Sequence, residues 1–302
     1  MPYPLPDLNE LAEALRSGER PLAMGGIVPG ARALVLASLL RTGWPAGRCL
    51  VVVPHATEAA DLAAGIRLLA PEVGVAVVPA EGAATYQGTE PPLASRLELV
   101  RLLAEIESGA VQLIIVPARM MAVPIPVPEA VAARTIHLER GDRIETNELA
   151  RRLAESGYRR VDLVEEAGEF AVRGWVVDLH LGGDAGIRVE LDDDSIERIQ
   201  AFDPSTQRSC GEPAEAVAVS ALDPFPADGD SRRAIADELQ GDYQVLAGLI
   251  REGAERRLWW GALHLASKWT SWPEVTDALV VCDRDDCLGE MARWARVLER
   301  EW

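Results

Sequence analysis

The chain has 302 residues, which is more than one average domain holds, so its length predicts two or three compact units. Its 48 acidic and 30 basic residues give a formal net charge of −18, and a surface of that sign repels nucleic acid unless basic residues cluster locally. Apolar residues make up 48% of the chain, enough for packed cores, which excludes global disorder.

The first third of the chain alternates continuous apolar runs with amphipathic segments. The runs at 49–54, 75–78 and 113–117 predict buried strands, and the segments at 7–17, 31–40, 57–69 and 95–106 predict helices; a further strand and turn are expected at 21–26. Strands and helices that alternate at these lengths are typical of a parallel α/β sheet.

The pattern changes after three alternate prolines at 123–128, which predict a linker. A helix at 146–155 is followed by five strands at 159–164, 169–172, 175–180, 187–191 and 196–202, joined by turns rich in Gly and Asp. Beyond 213, helices at 232–238 and 242–251, a strand at 278–282 and a helix at 288–300 return to the α/β pattern. The order predicts a small α+β domain (123–212) inserted into an α/β domain (1–122 and 213–302).

A glycine-rich segment at 25–30 lies where a phosphate loop belongs, between a strand and a helix. Gly25 and Gly30 have the spacing of GxxxxGK followed by Ser or Thr, with Gly26 beside them, but Ala31 takes the place of the Lys and Arg32 that of the hydroxyl residue. Because the Lys and the metal-binding hydroxyl carry the chemistry of that motif, the sequence predicts no ATP turnover and no cofactor here. A contact of Arg32 with an anion at the helix N-terminus stays open.

No other catalytic or metal site is predicted. The four cysteines form no CxxC pair, and His55 reads as a loop histidine without a catalytic partner. The tryptophans at 259, 260, 269 and 272 fit core or interdomain packing better than base stacking, which needs a cationic groove. With no signal peptide and no run of about 18 apolar residues, the chain is predicted to be cytoplasmic and free of membrane segments. Its end inside a helical pattern suggests a fragment of a longer protein.

The predicted antiparallel module carries a cluster of cationic and aromatic residues. Arg159, Arg160 and Arg173 lie close in sequence to Phe170. Arginine and aromatic residues are favoured anchors of protein interfaces, so the cluster is a candidate docking surface. The same arginines are equally compatible with a solvated face on which they pair with Glu165, Glu166 and Glu169, and the residues alone do not separate the two interpretations.

The stretch from Gly157 to Ser209 resembles the docking domain shared by the bacterial excision-repair protein UvrB and the transcription-repair coupling factors. The resemblance is carried by Gly168 to Gly174, by Val177-Asp178-Leu179, and by Phe202 to Ser209. It implies an α/β fold: a degenerate helicase-like (RecA-type) parallel-sheet domain with an inserted small antiparallel α+β domain, as in UvrB domains 1a, 2 and 1b.

Two absences favour the coupling factors over UvrB: the missing Lys of the phosphate loop, and the lack of room between Tyr86 and Ser95 for a DNA-inserting β-hairpin. The resemblance then implies a monomeric module, itself inactive, that recruits UvrA to stalled RNA polymerase by mimicking UvrB. An ATP-driven translocase elsewhere in the full-length protein would engage RNA polymerase and DNA. The alternatives are a UvrB-like DNA-loading ATPase and a stand-alone regulator that competes with UvrB for UvrA.

The resemblance also carries over the residues expected to bind UvrA: Arg159, Arg160, Phe170 and Arg173. His180 is added because it stands where the family often has the Phe of a Phe-Pro pair. An aromatic anchor is therefore expected to be weaker at this position.

Overall fold

The computed structural model describes residues 13–15, 17, 24–80, 92–123, 125–222, 233–234, 236–237, 244–252 and 269–301. These residues fall into two compact units. The first takes the described residues within Met1–Ala83, Ser108–Ile125 and Thr270–Trp302, and the second those within Ala84–Glu107 and Pro126–Trp269.

The helices and strands are numbered in chain order. The helices are α1 (Pro29–Arg41), α2 (Ala56–Leu69), α3 (Leu93–Glu107), α4 (Pro128–Ala132), α5 (Thr146–Glu155), α6 (Gln244–Arg251) and α7 (Arg284–Glu301). The strands are β1 (Cys49–Val53), β2 (Val75–Val77), β3 (Leu113–Pro117), β4 (Ile125–Pro126), β5 (Ile136–Glu139), β6 (Arg159–Arg160), β7 (Glu169–Arg173), β8 (Val176–Leu179), β9 (Gly186–Asp192), β10 (Ser195–Asp203), β11 (Arg208–Ala214), β12 (Ala216–Val219), β13 (Trp269–Thr270) and β14 (Ala278–Val281).

A four-stranded sheet of order β14-β1-β3-β2 forms the first unit, and its neighbouring strands all pair in parallel. All five residues of β1 and of β3 are buried, as expected for continuous apolar strands covered on both faces. Gly65 of α2 lies so close to α1 that a Cβ there would come within 2.7 Å of the Ala33 side chain. The predicted parallel α/β sheet is confirmed.

The second unit contains a six-stranded sheet of order β11-β10-β9-β8-β7-β6. Its strands pair antiparallel except for β6 and β7, which run parallel. One face packs on α5 through Leu149 and Leu153, which share a core with Phe170, Val177 and Val189. The predicted antiparallel α+β module is therefore confirmed as a fold.

Several element bounds differ from the sequence prediction. The strand expected at 159–164 ends at Arg160, and the expected linker at 123–128 contains β4 and leads into α4. Strands β5, β11 and β12 were not predicted. Because β12 pairs with β5 and Leu222 donates its N–H to the Ser156 carbonyl, the second unit continues past 213. The expected elements at 7–17, 21–26 and 232–238 lie mostly outside the described residues.

No helix in the described part of the chain combines the length and the apolar character that a membrane crossing requires. Trp272 is fully buried, which confirms the packing interpretation for this tryptophan.

Candidate protein-docking surface

The six-stranded sheet has an apolar face and a face that carries arginines. Side chains alternate along a strand, so Phe170 points into the core beneath α5 while its neighbours on β7 point the other way. The pairing places Arg159 opposite Glu169, Ala171 opposite Asp178, and Asp178 opposite Arg188. We call the side of the sheet that holds Arg159, Arg173 and Arg188 the arginine face.

Asp178 lies at the centre of the arginine face, and its side chain is 1% exposed. Its carboxylate accepts a hydrogen bond from Arg173 Nη2, one from Arg188 Nε at 2.7 Å and one from Arg188 Nη2 at 2.9 Å. Arg188 also lies over the ring of Phe202, 5.1 Å from its centroid, and donates to Ser209 Oγ at 3.1 Å. One buried carboxylate therefore holds two guanidinium groups.

A second buried carboxylate, Glu169, holds Arg159. Arg159 Nη2 donates to Glu169 Oε1 at 2.5 Å, and Glu169 Oε2 accepts the backbone N–H groups of Glu165 and Glu166, both at 2.9 Å. Burial would raise the pKa of Glu169, but these backbone hydrogen bonds and the Arg159 charge outweigh it, so the pKa lies below its ordinary value. The loop after β6 is thereby tied to the sheet, which explains why the strand ends at Arg160.

Ion pairing and docking are compatible on this face. Arg159 pairs with Glu169 and approaches Glu166 at 3.9 Å, yet its side chain is 68% exposed. Arg173 pairs with Asp178, which the sequence reading did not consider, and its side chain is 44% exposed. Arg160, the next residue of β6, is exposed too, but it pairs with Phe170 and therefore projects from the opposite side of the sheet. In the Arg159–Glu169 and Arg173–Asp178 pairs the carboxylate is inside and the guanidinium is at the surface, where a partner can reach it.

Two of the predicted binding residues lie in the interior. Phe170 is 1% exposed, sits opposite Leu179 and belongs to the core beneath α5. His180 is 6% exposed, and its Nδ1 accepts the N–H of Gly182 at 3.2 Å. Burial lowers the pKa of His180, against the opposing charge of Glu169. Neither side chain is available for surface contact in this structure, because each is enclosed by its own domain.

Sequence reasoning missed Asp178 and Arg188 as parts of this surface, and it also missed Trp175. Trp175 is 56% exposed at the turn between β7 and β8, which Gly174 allows by taking a φ of 62°. A two-residue turn with Gly first was visible in the sequence. The link between Asp178 and Arg188 was less visible, because it depends on the pairing of two strands.

The phosphate-loop region of the first unit is occupied by an internal ion cluster. Arg32, near the N-terminus of α1, donates to Glu58 Oε2 at 3.2 Å and to Asp283 Oδ2 at 2.5 Å, and its side chain is 12% exposed. Burial would lower the pKa of Arg32, but the hydrogen bond and charge of Asp283 outweigh it and raise the pKa. Two carboxylates therefore pair with this guanidinium within the first unit.

No group of three or more His, Cys, Asp or Glu residues in the described ranges is arranged to hold a metal ion. All four cysteines are free thiols, and burial raises the pKa of Cys49 to about 12. Such a protonated, enclosed thiol is a poor nucleophile and a poor ligand.

The arginine face lies within a domain of known family. Residues 136–224 match the family model described as the UvrB interaction domain. This stretch includes β5 through β12, with α5, and so covers the whole six-stranded sheet. The second unit is therefore built around a segment that matches the UvrB interaction domain.

The relatives are transcription-repair-coupling factors and UvrB proteins. The transcription-repair-coupling factor of Myxococcus xanthus is 31% identical over 247 residues, which is 76% of this chain and 20% of that protein. That of Bacillus subtilis is 32% identical over 117 residues, 38% of this chain and 10% of the relative. The UvrABC system protein B of Pasteurella multocida is 29% identical over 221 residues, 68% of this chain and 32% of the relative.

These relatives confirm the resemblance stated from the sequence. The chain is similar to part of transcription-repair-coupling factors and to part of UvrB. It spans a fifth of the length of the Myxococcus xanthus relative.

Proposed function

We propose that this chain is the UvrB-like module of a transcription-repair coupling factor, and that it recruits UvrA to stalled RNA polymerase by presenting the surface that UvrB presents. The observation that carries the proposal is the arginine face on a UvrB interaction domain. RNA polymerase and DNA would be engaged by other parts of a longer protein with an ATP-driven translocase. The module would act as a monomer in the cytoplasm.

The charge distribution supports docking to a protein rather than to nucleic acid. The chain has a net charge of −18, which opposes DNA binding over most of its surface. The arginine face is a local exception, with the exposed guanidiniums of Arg159 and Arg173 held in place from beneath. Arginine is a favoured hot-spot residue, and guanidiniums fixed before binding lose less conformational entropy when a partner arrives.

We further propose that this segment does not turn over ATP and holds no nucleotide cofactor. Ala31 stands in place of the Lys that would reach the phosphates, and Arg32 is engaged by Glu58 and Asp283. Both observations support a nucleotide-binding fold that has lost its chemistry.

Binding of the purified chain to purified UvrA tests the docking proposal. Arg173→Ala is expected to weaken the complex about tenfold or more, the range of an interface hot spot. Arg41→Ala is the matched control, because Arg41 is an exposed arginine in an ion pair with Glu72 in the first unit. Absence of wild-type binding would reject the docking function, and equal binding by Arg173→Ala and Arg41→Ala would reject this choice of surface.

A UvrB-like DNA-loading ATPase is the second candidate, supported by the UvrB relative that aligns with 68% of the chain. ATP hydrolysis by the purified chain above background, with and without DNA, separates the two. Turnover that disappears in an Arg32→Ala variant would replace the docking proposal with this one. A stand-alone regulator would be distinguished by a reading frame that ends near Trp302.

A further inference from the structure

The two arginines that bind the Asp178 carboxylate differ in exposure and in their number of contacts. Arg188 is 14% exposed and fully engaged: it contacts Asp178 through two nitrogens, Ser209 Oγ through a third hydrogen bond and the Phe202 ring through its flat face. Arg173 is 44% exposed and reaches Asp178 through Nη2. Arg188 therefore serves as the support, and Arg173 is the member of the pair that a partner can touch.

The cluster also carries an excess of charge. Two guanidiniums face one carboxylate, which leaves one positive charge uncompensated. A further acid on the same face is Glu190, which acts on Arg188 through space and lies opposite the exposed Arg198 in the strand pairing. With Glu190 and Arg198 included, three guanidiniums face two carboxylates on this side of the sheet, so one positive charge remains, and Arg173 is more exposed than Arg188.

The burial of Asp178 strengthens its hold on both guanidiniums. A carboxylate that is 1% exposed must be hydrogen-bonded to be tolerated, and the cost of leaving it unpaired keeps both guanidiniums in place. Because several contacts fix Arg188, they also fix the Asp178 carboxylate that it binds. The fixed carboxylate in turn restricts the Arg173 guanidinium to one position. Without the carboxylate the two like charges would repel and Arg173 would sample many rotamers.

We propose that Asp178 is a positioning residue of the docking surface: it fixes the Arg173 guanidinium beside that of Arg188, so that their one uncompensated charge takes a single carboxylate from an acidic patch of the partner protein. The inference rests on the proposed function and deepens it, since it identifies the chemistry that the partner supplies. Arg173 makes the contact, and Asp178 acts through it.

A double-mutant cycle with purified UvrA tests this role. Arg173→Ala, Asp178→Asn and the double variant are compared by calorimetric titration. We expect Asp178→Asn to weaken binding about tenfold, and the double variant to bind within about twofold of Arg173→Ala, because coupled residues are not additive. Asp203→Asn is the control: Asp203 caps a turn of the same sheet through Ser205 and Thr206, and it is expected to bind as wild type.

Each outcome decides between the inference and the function on which it rests. If Arg173→Ala weakens binding and Asp178→Asn does not, Asp178 has no positioning role and the docking function stands. Additive losses in the double variant would reduce Asp178 to a general contributor to the fold and overturn the inference. Wild-type chain that does not bind UvrA would reject both.

The wild-type protein provides a second test that does not depend on the folding of Asp178→Asn. Nitrogen-15 relaxation of the arginine side chains reports the order of each guanidinium in solution. We expect Arg173 to approach the order of Arg188 and to exceed that of Arg41, which is 56% exposed in an ordinary surface pair. Equal mobility of Arg173 and Arg41 would overturn the inference.

Discussion

The two units contain ion clusters of opposite arrangement. In the first unit, one arginine lies between two carboxylates, Glu58 and Asp283, so the positive charge is used up and a net negative charge remains. In the second unit, the Asp178 carboxylate lies between two arginines, and a positive charge remains at the surface. We therefore expect the first cluster to disfavour anions and the second to accept an acidic group of a partner protein.

The difference shows that counting charged residues is a weak guide to binding. Arg32 occupies the position where a phosphate loop would meet its nucleotide, yet its guanidinium is paired with two carboxylates. Arg173 is also paired, yet it remains available, because its carboxylate is shared with Arg188. Whether an arginine can bind an anion depends on the ratio of acidic to basic groups in its cluster and on which of these groups are buried.

The largest effect is expected from the core of the second unit, on the side of the sheet opposite the Asp178 cluster. Phe170→Ala should lower the free energy of unfolding by about 3–5 kcal/mol, the range for removing a buried aromatic side chain. Chemical denaturation followed by tryptophan fluorescence measures it. Trp175→Ala, at an exposed aromatic five positions along, should change stability by less than about 0.5 kcal/mol. Similar values for the two variants would mean that Phe170 is not a core residue.

A smaller effect is expected at the ion cluster of the first unit, in which Arg32 pairs with Glu58 and Asp283. Arg32→Ala leaves Glu58 and Asp283 without their shared cation, and the loss should be about 1–2 kcal/mol because both carboxylates are partly exposed. Binding to UvrA should be unchanged, since the arginine face is intact. Arg41→Ala removes an exposed pair and is the control for stability. A loss of UvrA binding by Arg32→Ala would contradict the separation of the two roles.

Nucleotide should have almost no effect on the wild-type chain. With the phosphate-loop Lys replaced by Ala31 and Arg32 compensated, millimolar MgATP should shift the melting temperature by less than about 1 °C, because a ligand stabilises only when it exceeds its dissociation constant. Differential scanning fluorimetry with ATP, ADP and a buffer blank gives the comparison. A shift of several degrees would show that the first cluster is open to phosphate after all.

The smallest effect is expected from His180, and it depends on pH. Burial lowers its folded pKa below the ordinary value of about 6.5, so the unfolded chain binds the proton more readily. Its contribution to stability is therefore complete above about pH 6.5 and is lost as the pH falls towards the folded pKa. His180→Phe should flatten the stability profile between pH 5 and 8. An unchanged slope in this variant would assign the pH dependence to other groups.

Much of the fold was predictable from local patterns. The continuous apolar runs of β1 and β3 and the amphipathic helices between them indicated a parallel sheet, and the turns of the meander were marked by Gly and Asp. Strands β5 and β12 were missed because each has four residues and depends on the other for pairing. The surface was predicted in part: Arg159, Arg160 and Arg173 are exposed, whereas Phe170 and His180 are interior.

The sequence by itself determined the net charge, the loss of the phosphate-loop Lys and the motif that places residues 136–224 among UvrB interaction domains. Those properties depend on which residues are present and on their local order. Only the tertiary structure decided which arginines are available. Arg32 meets Asp283 across 251 positions of chain, and Arg188 meets Asp178 through the pairing of β8 with β9. Whether an arginine is fully paired or remains exposed depends on residues that are distant in sequence and become neighbours only on folding. Local sequence patterns do not identify those neighbours.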